Sequence, residues 1–247
     1  MIVACMAAMV VPSFRASATT RAAGNGQGTL VVVGDSLTEG TSLLGSLPAL
    51  VRRRGIWTAV TVDHRRGRTT AQGTRVLAQR LARAKNPTAV VVALGTNDMM
   101  SRREPWYPAQ VIDEMMNESM GLPVLWVNIN FSRIHPDWRS RAARFNRALL
   151  AARAEWPNLR VADWSRGFVP AGRSNYIGDG VHLTTSGYRT RAVWLDRQIA
   201  AFGRSIVDAS TTTTAAPTTS TTIVESTTTV QSTTTVPATS TMPPVSP

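Results

Sequence analysis

Close to its N-terminal end the chain reads Thr29-Leu-Val-Val-Val-Gly-Asp-Ser-Leu37. The continuous apolar run from Leu30 to Val33 is typical of a strand that is buried on both faces of a sheet. Glycine, aspartate and serine follow it directly, as they do where a strand turns into a helix. The stretch therefore predicts a strand followed by a helix, with Ser36 at the turn and the helix N-terminus behind its hydroxyl.

The same alternation continues along the chain, because apolar runs rich in β-formers are separated by amphipathic helical stretches. This is the pattern of a parallel sheet that is covered by helices on both faces, so the predicted fold class is α/β with three layers, α/β/α. Strands are predicted at Thr29 to Val33, Trp57 to Val62, Ala89 to Leu94, Val124 to Asn128 and Leu159 to Ala162. Helices are predicted at about Leu43 to Arg53, Thr70 to Ala84, Ala109 to Met120, Asp137 to Ala154 and Ser186 to Phe202.

The composition fits one domain with tails. The chain has 247 residues, of which 43% are hydrophobic, and a formal net charge of +12. Almost all of the positive charge is arginine, with Lys85 the only lysine. Arg80 and Arg83 lie off the helical face that carries Leu77 and Leu81, so we interpret the arginines as solvated helix faces. We therefore predict no nucleic-acid partner.

Residues 1 to 18 have the pattern of a secretory signal peptide. They are apolar from Ile2 to Pro12 and end in Ala16-Ser17-Ala18, a small-residue cleavage pattern, but lack a positive segment before the apolar run. Ile2-Val-Ala-Cys5 also resembles a bacterial lipobox, which leaves lipidation of Cys5 as an alternative. Cys5 is the only cysteine, so no intramolecular disulfide forms. We expect a short linker at residues 19 to 27 and a secreted or cell-envelope enzyme.

Residues 209 to 247 are predicted to be a disordered tail outside the folded domain, which we place at residues 28 to 208. The tail consists mainly of Thr, Ser, Pro and Val and contains a tandem repeat, Glu225-Ser-Thr-Thr-Thr-Val230 followed by Gln231-Ser-Thr-Thr-Thr-Val236. Such a composition cannot bury a core. It is typical of an extended, O-glycosylated stalk, and an unmodified flexible tail is the equal alternative.

Two polar blocks and one glycine follow predicted strands, and a third polar block precedes the last predicted helix. Parallel sheets place their ligand sites at the carboxyl ends of the strands, so these residues are the first candidates for a site. The blocks are Gly34-Asp-Ser-Leu37, Gly95-Thr-Asn-Asp98 and Asp179-Gly-Val-His182, and the glycine is Gly67 after the second strand.

These blocks, in this order, resemble those of the SGNH (GDSL-type) hydrolases, and the resemblance spans about residues 28 to 204. It implies a flavodoxin-like, five-stranded parallel sheet and a serine esterase without cofactor. It also implies that Ser36 is the nucleophile, that His182 is its base and that Asp179 orients the imidazole, as in a catalytic triad.

The resemblance also implies an oxyanion hole made by the backbone N–H of Ser36, the backbone N–H of Gly67 and the side-chain amide of Asn97. Of the three histidines, His182 is the one that has a carboxylate three residues before it, whereas His64 and His135 lack one. We interpret Asp98 as structural. Because free histidine titrates near pH 6.5, activity should rise from mildly acidic to neutral pH.

The chain lacks the sequence patterns of several other enzyme classes. The chain has no Gly-x-Ser-x-Gly elbow of the α/β-hydrolase type and no glycine-rich nucleotide fingerprint. Its lone cysteine and scattered histidines do not have zinc-ligand spacing, so no metal is predicted. Paired carboxylates of the glycosidase kind are also missing.

A looser resemblance connects the chain to the SGNH domains of cell-wall O-acetyltransferases. It rests on Trp126-Val-Asn128, on Trp138 with Asn146, and on Asp163-Trp164. We expect Trp126 and Trp164 to be core residues, since large aromatics usually pack, and Trp106 and Tyr107 to line the substrate pocket.

Three functions follow from these observations. The leading one is a monomeric hydrolase of short acyl esters, on small molecules or carbohydrate, with possible cell-wall association. The alternatives are an O-acyltransferase for cell-envelope polysaccharide and a non-catalytic wall-binding module. The membrane-embedded acyl-donor domain of many such transferases is missing from this chain, which favours hydrolysis.

Overall fold

The computed structural model describes residues 28–167 and 175–214. The predicted signal peptide, the predicted linker and the tail beyond residue 214 lie outside these ranges. Five strands and eight helices are present in the described parts of the chain. The strands are β1 (Thr29–Gly34), β2 (Ala59–His64), β3 (Pro87–Ala93), β4 (Val124–Val127) and β5 (Leu159–Ala162). The helices are α1 (Ser36–Leu43), α2 (Leu47–Arg53), α3 (Thr70–Arg83), α4 (Thr96–Ser101), α5 (Tyr107–Glu118), α6 (Pro136–Ala152), α7 (Trp164–Gly167) and α8 (Thr185–Thr214).

The five strands form one parallel sheet in the order β2-β1-β3-β4-β5. This is the doubly wound, flavodoxin-like order, in which the chain first moves to one edge of the sheet and then returns past β1 to the other. All five carboxyl ends therefore lie along the same edge, and the loops that follow β1, β2 and β3 are neighbours. The predicted fold class and strand set are confirmed.

Two apolar cores cover the two faces of the sheet, because successive strand residues point to opposite sides. Leu30 and Val32 pack in one core with Leu195 and other residues of α8, together with residues of α1 and α2. Val31 and Val33 pack in the other core with residues of α3, α5 and α6. Because the strands are buried on both faces, their sequences are continuous apolar runs and do not alternate between apolar and polar residues.

The helices differ from their predicted bounds where local signals are weak. The helix predicted from about Leu43 to Arg53 is α2, which begins only at Leu47; residues 44 to 46 separate it from α1, which ends at Leu43. Ser46 has a left-handed backbone with φ of 55°, and Pro48 lies in the first turn of α2, where its missing N–H costs nothing. The short helix α4 was not predicted.

Helix α8 is longer than the sequence indicates. Its predicted inner face is confirmed, since Leu195, Ile199 and Phe202 are buried. The helix continues past Phe202 to Thr214. None of the helices in the described ranges is long and apolar enough to cross a membrane.

Candidate active site

The strand order brings the predicted polar blocks to one edge of the sheet. Ser36 is the first residue of α1, immediately after β1 and Asp35. Asn97 lies in the first turn of α4 after β3, and Gly67 lies in the turn between β2 and α3. The Asp179–His182 turn precedes α8. Residues as far apart in sequence as Ser36 and His182 thus become neighbours.

Ser36, His182 and Asp179 form a continuous series of hydrogen bonds. The Ser36 Oγ lies 2.8 Å from Nε2 of His182. The other ring nitrogen, Nδ1, lies 2.6 Å from Oδ2 of Asp179. A ring that donates from Nδ1 to a carboxylate keeps Nε2 as an acceptor, so the Ser36 hydroxyl faces a nitrogen that is able to take its proton.

The Asp179 carboxylate is held by its own turn. Its Oδ1 accepts the backbone N–H groups of Val181 and His182, both at 2.9 Å. Partial desolvation acts to raise the pKa of Asp179, but the hydrogen bonds from the His182 ring and these backbone groups outweigh it, so the pKa lies below its usual value. Asp179 is therefore the anion that the imidazole needs at neutral pH.

Asn97 lies between the serine turn and the Gly67 turn. Its Nδ2 donates to the carbonyl oxygen of Arg68 at 3.0 Å and to Oδ2 of Asp35 at 3.3 Å. Gly67 is exposed and has a left-handed backbone with φ of 69°, a conformation that favours glycine. The three predicted oxyanion donors therefore belong to adjoining segments at one sheet edge.

Comparisons with known proteins agree with this geometry. The family model described as the GDSL-like lipase/acylhydrolase family matches residues 32–190, a range that includes all of the residues named above. The chain belongs to this family. The predicted enzyme class, an SGNH-type carboxylic ester hydrolase, is thereby confirmed, and the non-catalytic wall-binding module is set aside.

Solved structures show the same fold at low sequence identity. A lipase/acylhydrolase from Enterococcus faecalis is 22% identical and has a TM-score of 0.58, covering 70% of this chain and 95% of its own. A lipolytic G-D-S-L protein from Veillonella parvula is 20% identical, with a TM-score of 0.56 over 67% of this chain and 94% of its own.

The catalytic domain of the Streptococcus pneumoniae peptidoglycan O-acetyltransferase A, crystallised with a methylsulfonyl adduct, is 16% identical. Its TM-score is 0.56, over 75% of this chain and 97% of its own. A search among curated proteins gave no match.

The buried carboxyl of Asp35 is a feature of this GDSL-type site that the sequence analysis missed. Asp35 is 1% exposed and caps α1 by accepting the N–H of Leu37 at 2.9 Å. Burial raises its pKa to about 6, against the opposing effects of the Leu37 N–H and the charges of Arg191 and His182. The N-cap pattern in the sequence points to Asp35, but its burial depends on the packing of α8.

Asp98 fastens the α4 loop, as predicted. It is fully buried, and its Oδ2 accepts both the N–H and the hydroxyl of Thr70 at 2.9 Å. Its Oδ1 accepts the hydroxyl of Tyr107 at 2.7 Å. Burial, together with Asp98, raises the pKa of Tyr107 above its usual range. Asp98 thus connects the start of α3 to the start of α5.

Trp106 and Tyr107 are placed differently from each other. A depression of about 480 Å³ is lined by Thr69, Ala71, Ser101, Arg102, Arg103, Glu104 and Tyr107. Ser36, Asn97 and His182 are not among these lining residues, but the Ser101 hydroxyl donates to the Asn97 carbonyl oxygen at 2.9 Å. Tyr107 contributes to the depression although the residue is largely buried, whereas Trp106 is 61% exposed and is not among these lining residues.

The other two histidines have partners other than Ser36. His64 has Nδ1 at 3.9 Å from a Glu39 carboxylate oxygen. His135 has Nε2 at 2.8 Å from the Asp179 carbonyl oxygen, and its ring stacks on Trp138 with 3.8 Å between centroids. His135 therefore supports the Asp179 turn, a contact that the sequence analysis did not anticipate because 44 residues separate the two.

The remaining aromatic predictions are resolved by burial. Trp126 and Trp164 are core residues, as expected, with exposures of 0% and 2%. The Asn146 side chain exchanges two hydrogen bonds with the backbone of Ile129, so it holds the loop after β4. Within residues 28–167 and 175–214 there is no cluster of three His, Cys, Asp or Glu suited to a metal.

The prediction that the arginines form solvated faces is wrong for several of them. Arg68, Arg141 and Arg191 are buried, with exposures of 4%, 8% and 3%. Arg83 is exposed as predicted, and Arg80, whose side chain is 40% exposed, also pairs with Asp63 through Nε at 2.6 Å. Helical periodicity identifies the apolar face of one helix but not the neighbouring carboxylates and carbonyls that hold an arginine inside the fold.

Proposed function

We propose that the chain is a secreted serine esterase that hydrolyses short-chain carboxylic esters, such as O-acetyl groups on carbohydrate, through an acyl-enzyme. The observation that carries this proposal is the hydrogen-bonded series from the Ser36 hydroxyl through the His182 ring to Asp179. A serine needs a base within hydrogen-bond distance before it can attack a carbonyl carbon, and the distance of 2.8 Å satisfies this condition.

In the first half of the reaction, the Ser36 oxygen forms a bond to the ester carbonyl carbon while Nε2 of His182 takes the hydroxyl proton. Asp179 stabilises the imidazolium that results. The carbon–oxygen bond to the alcohol then breaks, and the imidazolium returns its proton to the leaving oxygen. The alcohol departs, and the acyl group stays on Ser36.

In the second half, water takes the place of the alcohol. His182 accepts a proton from the attacking water, and the water oxygen bonds to the acyl carbon. The bond between the acyl carbon and Ser36 Oγ then breaks, and Ser36 Oγ takes the proton back from His182. The free acid leaves. One ester and one water thus give one acid and one alcohol, and the enzyme returns to its starting protonation state.

Each half passes through a tetrahedral oxyanion, for which we assign the donors as the N–H of Ser36, the N–H of Gly67 and the Asn97 amide. Ser36 begins a helix, where the backbone N–H groups favour negative charge. The bond from Asn97 to Asp35 is the longer of its two, at 3.3 Å. We infer that the oxyanion replaces this contact while the bond to the Arg68 carbonyl keeps the amide oriented.

The depression lined by Ser101 and Tyr107, which the Ser101 hydroxyl connects to Asn97, supports a short acyl group on a polar alcohol. A long alkyl chain requires a continuous apolar surface, but this lining includes Arg102, Arg103 and Glu104. Charged and hydroxyl side chains suit a carbohydrate hydroxyl surface instead. The preference for short acyl groups is therefore expected to come from the polarity of the walls.

The test is hydrolysis of nitrophenyl esters by purified enzyme, over acyl lengths from acetyl to dodecanoyl. We expect the acetyl ester to be cleaved fastest, and we expect the substitution Ser36→Ala to lower the rate by on the order of a thousandfold or more. Ser42→Ala is the matched control, since Ser42 lies in the same helix. Equal rates for the wild type and Ser36→Ala at every length would overturn the proposal.

Transfer to a sugar hydroxyl is the second candidate function. The observation that favours it is the His135–Trp138 stack beside the Asp179 turn, because aromatic faces suit the binding of a sugar ring. A bound sugar hydroxyl would then take the role of water in the second half-reaction. Product analysis with acetyl ester and an oligosaccharide acceptor decides this: acetylated sugar must accumulate faster than free acetate.

Secretion is supported by the signal-like residues 1 to 18 and by the Thr/Ser/Pro-rich segment after residue 208. The domain at residues 28 to 208 holds 25 Lys and Arg against 14 Asp and Glu, and its net charge of +11 would also suit the anionic polymers of a cell wall. Mass spectrometry of the enzyme from culture medium should find an N-terminus near residue 19. Recovery of uncleaved chain inside the cells alone would contradict secretion.

A further inference from the structure

Arg68 differs from the other arginines of its turn. Arg65, Arg66 and Arg68 surround Gly67 in the connection from β2 to α3. The Arg66 side chain is 82% exposed and pairs with Glu39 at the surface. The Arg68 side chain is 5% exposed and turns inward. A buried guanidinium is costly unless its N–H groups are satisfied, so its partners show what it does.

The Arg68 side chain connects the end of β2 to the end of β1. Its Nη1 donates to the carbonyl oxygen of Gly34 at 2.9 Å and to that of Asp63 at 3.1 Å. Its Nη2 donates to the Asp63 carboxylate at 2.5 Å. Gly34 lies two residues before Ser36, so the guanidinium binds directly behind the nucleophile turn.

Asp63 is itself held from a second side. Its other carboxylate oxygen accepts Nε of Arg80, from α3, at 2.6 Å. Hydrogen bonds from both arginines lower the pKa of Asp63 although partial burial acts to raise it. The carboxylate is therefore a fixed anion at neutral pH, and it fixes the Arg68 fork.

The backbone of Arg68 completes the connection. Its carbonyl oxygen accepts Nδ2 of Asn97 at 3.0 Å, and its N–H donates to the Arg65 carbonyl at 3.3 Å across the turn. The same residue therefore contacts the segment before Ser36, adjoins Gly67 and orients Asn97. These are the three segments that supply the assigned oxyanion donors.

We propose that Arg68 is the positioning residue of the oxyanion hole, which sets the three donors relative to one another; this rests on the proposed function. Gly67 is exposed, has a left-handed backbone with φ of 69° and has open space where a Cβ would lie, so no side chain of its own holds the direction of its N–H. The buried guanidinium of Arg68, the next residue, holds this turn in place. Small displacements of such donors lower the rate because they act only when correctly placed.

The test compares Arg68→Lys and Arg68→Met with Arg65→Met, whose side chain is exposed on the same turn. Lysine keeps the charge but cannot bind Gly34 and Asp63 together through a planar fork. With nitrophenyl acetate we expect both Arg68 variants to lose kcat by about ten- to a hundredfold with KM changed by no more than about threefold. Arg65→Met should retain the wild-type values.

A second readout separates positioning from simple stability. An alkylboronic acid forms a tetrahedral anionic adduct with a reactive serine and so resembles the oxyanion intermediate. We expect its inhibition constant to rise in each Arg68 variant by the same factor as kcat/KM falls, at a temperature where circular dichroism shows the variant folded. A residue that only stabilised the fold would leave both quantities unchanged in the folded variant.

Several outcomes would overturn the proposal. The first is that the Arg68 variants have the same kcat as Arg65→Met. The second is that they change KM alone, and the third is that they bind the boronic acid as tightly as the wild type does. If Arg68→Met does not fold, Arg68→Lys and Asp63→Asn test the proposal in the same assays. If none of the three variants folds, Arg68 has a structural role and the proposal is rejected. A separate result, full activity in Ser36→Ala, would reject the esterase mechanism itself and not only the role of Arg68.

Discussion

Ser36 and Asn97 lie at the ends of buried strands, whereas His182 and Asp179 lie on a turn at the surface. We refer to the first group, with Asp35, Arg68 and Asp98, as the nucleophile half, and to Asp179–His182 as the base half. Asp35, Arg68 and Asp98 are at most 4% exposed. The side chains of His182 and Asp179 are 36% and 42% exposed. One site thus combines two different environments.

The two halves are oriented by different means. The nucleophile half depends on hydrogen bonds between segments that are distant in sequence, such as Arg68 to Gly34 and Thr70 to Asp98. The base half depends on bonds within one turn, from Val181 and His182 back to Asp179. Substitutions in the nucleophile half should therefore change both activity and stability, and those in the base half should change activity alone.

The largest expected effect is in the base half. His182→Ala should lower kcat/KM by on the order of ten-thousandfold or more, because Ser36 loses its base. The free energy of unfolding should change by no more than about 0.5 kcal/mol, since the ring is partly exposed and Asp179 keeps its backbone bonds. Ester hydrolysis and urea unfolding measure the two effects, with His64→Ala as the control. A large loss of stability would remove the distinction between the halves.

Asn97→Ala tests the same distinction from the nucleophile half. We expect kcat to fall by about a hundredfold, the usual cost of one oxyanion donor. The free energy of unfolding should also fall by about 1 to 2 kcal/mol, because Asp35 and the Arg68 carbonyl lose their donor. Asn117→Ala, which removes an exposed amide on α5, is the matched control. Loss of activity without loss of stability would place Asn97 with the base half.

Asp35→Asn sharpens the comparison through pH. Burial raises the Asp35 pKa from 3.8 to about 6, which means that the fold favours the protonated carboxyl. The stability that this preference provides is fully present below pH 4 and is lost as pH rises through 6. The asparagine side chain does not ionise, so the variant does not lose this stability as pH rises. Relative to wild type, its free energy of unfolding should therefore increase by roughly 2 to 3 kcal/mol between pH 4 and pH 7.

Urea unfolding at pH 4, 5, 6 and 7 measures this difference. Asp137→Asn, at an exposed position in the first turn of α6, serves as the control and should follow the wild-type curve. If the curves for Asp35→Asn and wild type run parallel, Asp35 does not ionise at a raised pKa within the fold.

Gly67→Ala should have the smallest effect. Gly67 and Gly55 share left-handed φ angles of 69° and 64°, and neither has an atom within 4 Å of where a Cβ would lie. Alanine at either position should cost about 1 kcal/mol of stability for the same backbone reason. Only Gly67→Ala should also lower kcat, by less than about tenfold, because its N–H persists but shifts. Identical kcat values for the two variants would exclude Gly67 from the site.

Much of the architecture was predictable because it depends on local patterns. Continuous apolar runs identify β1 and β3, and helical spacing identifies the buried face of α8. The polar blocks after the strands nominated Ser36 and Asn97, and the block before the last helix nominated His182. The parallel sheet explains why Ser36 and Asn97 meet. The start of α2 was predicted at Leu43 instead of Leu47 because the left-handed Ser46 leaves only a weak local signal.

The partners of the arginines were not predictable from the sequence. Arg66 and Arg68 are two positions apart and chemically identical, yet one is exposed and one is buried. The Gly34 carbonyl that binds Arg68 is 34 residues away. No periodicity within a single helix or turn encodes such a contact, because it depends on how β1 and β2 pair.

Local sequence patterns identify the strands, the buried helix faces and the chemical groups available at the sheet edge, since hydrophobic burial and turn formation act over a few residues. Which polar groups are desolvated and which remain in water depends on the three-dimensional packing of the domain. This difference separates Asp35, whose pKa rises on burial, from Asp179, whose hydrogen bonds lower it. Desolvation depends on everything packed around a group, and the packing brings together segments from the whole length of the domain.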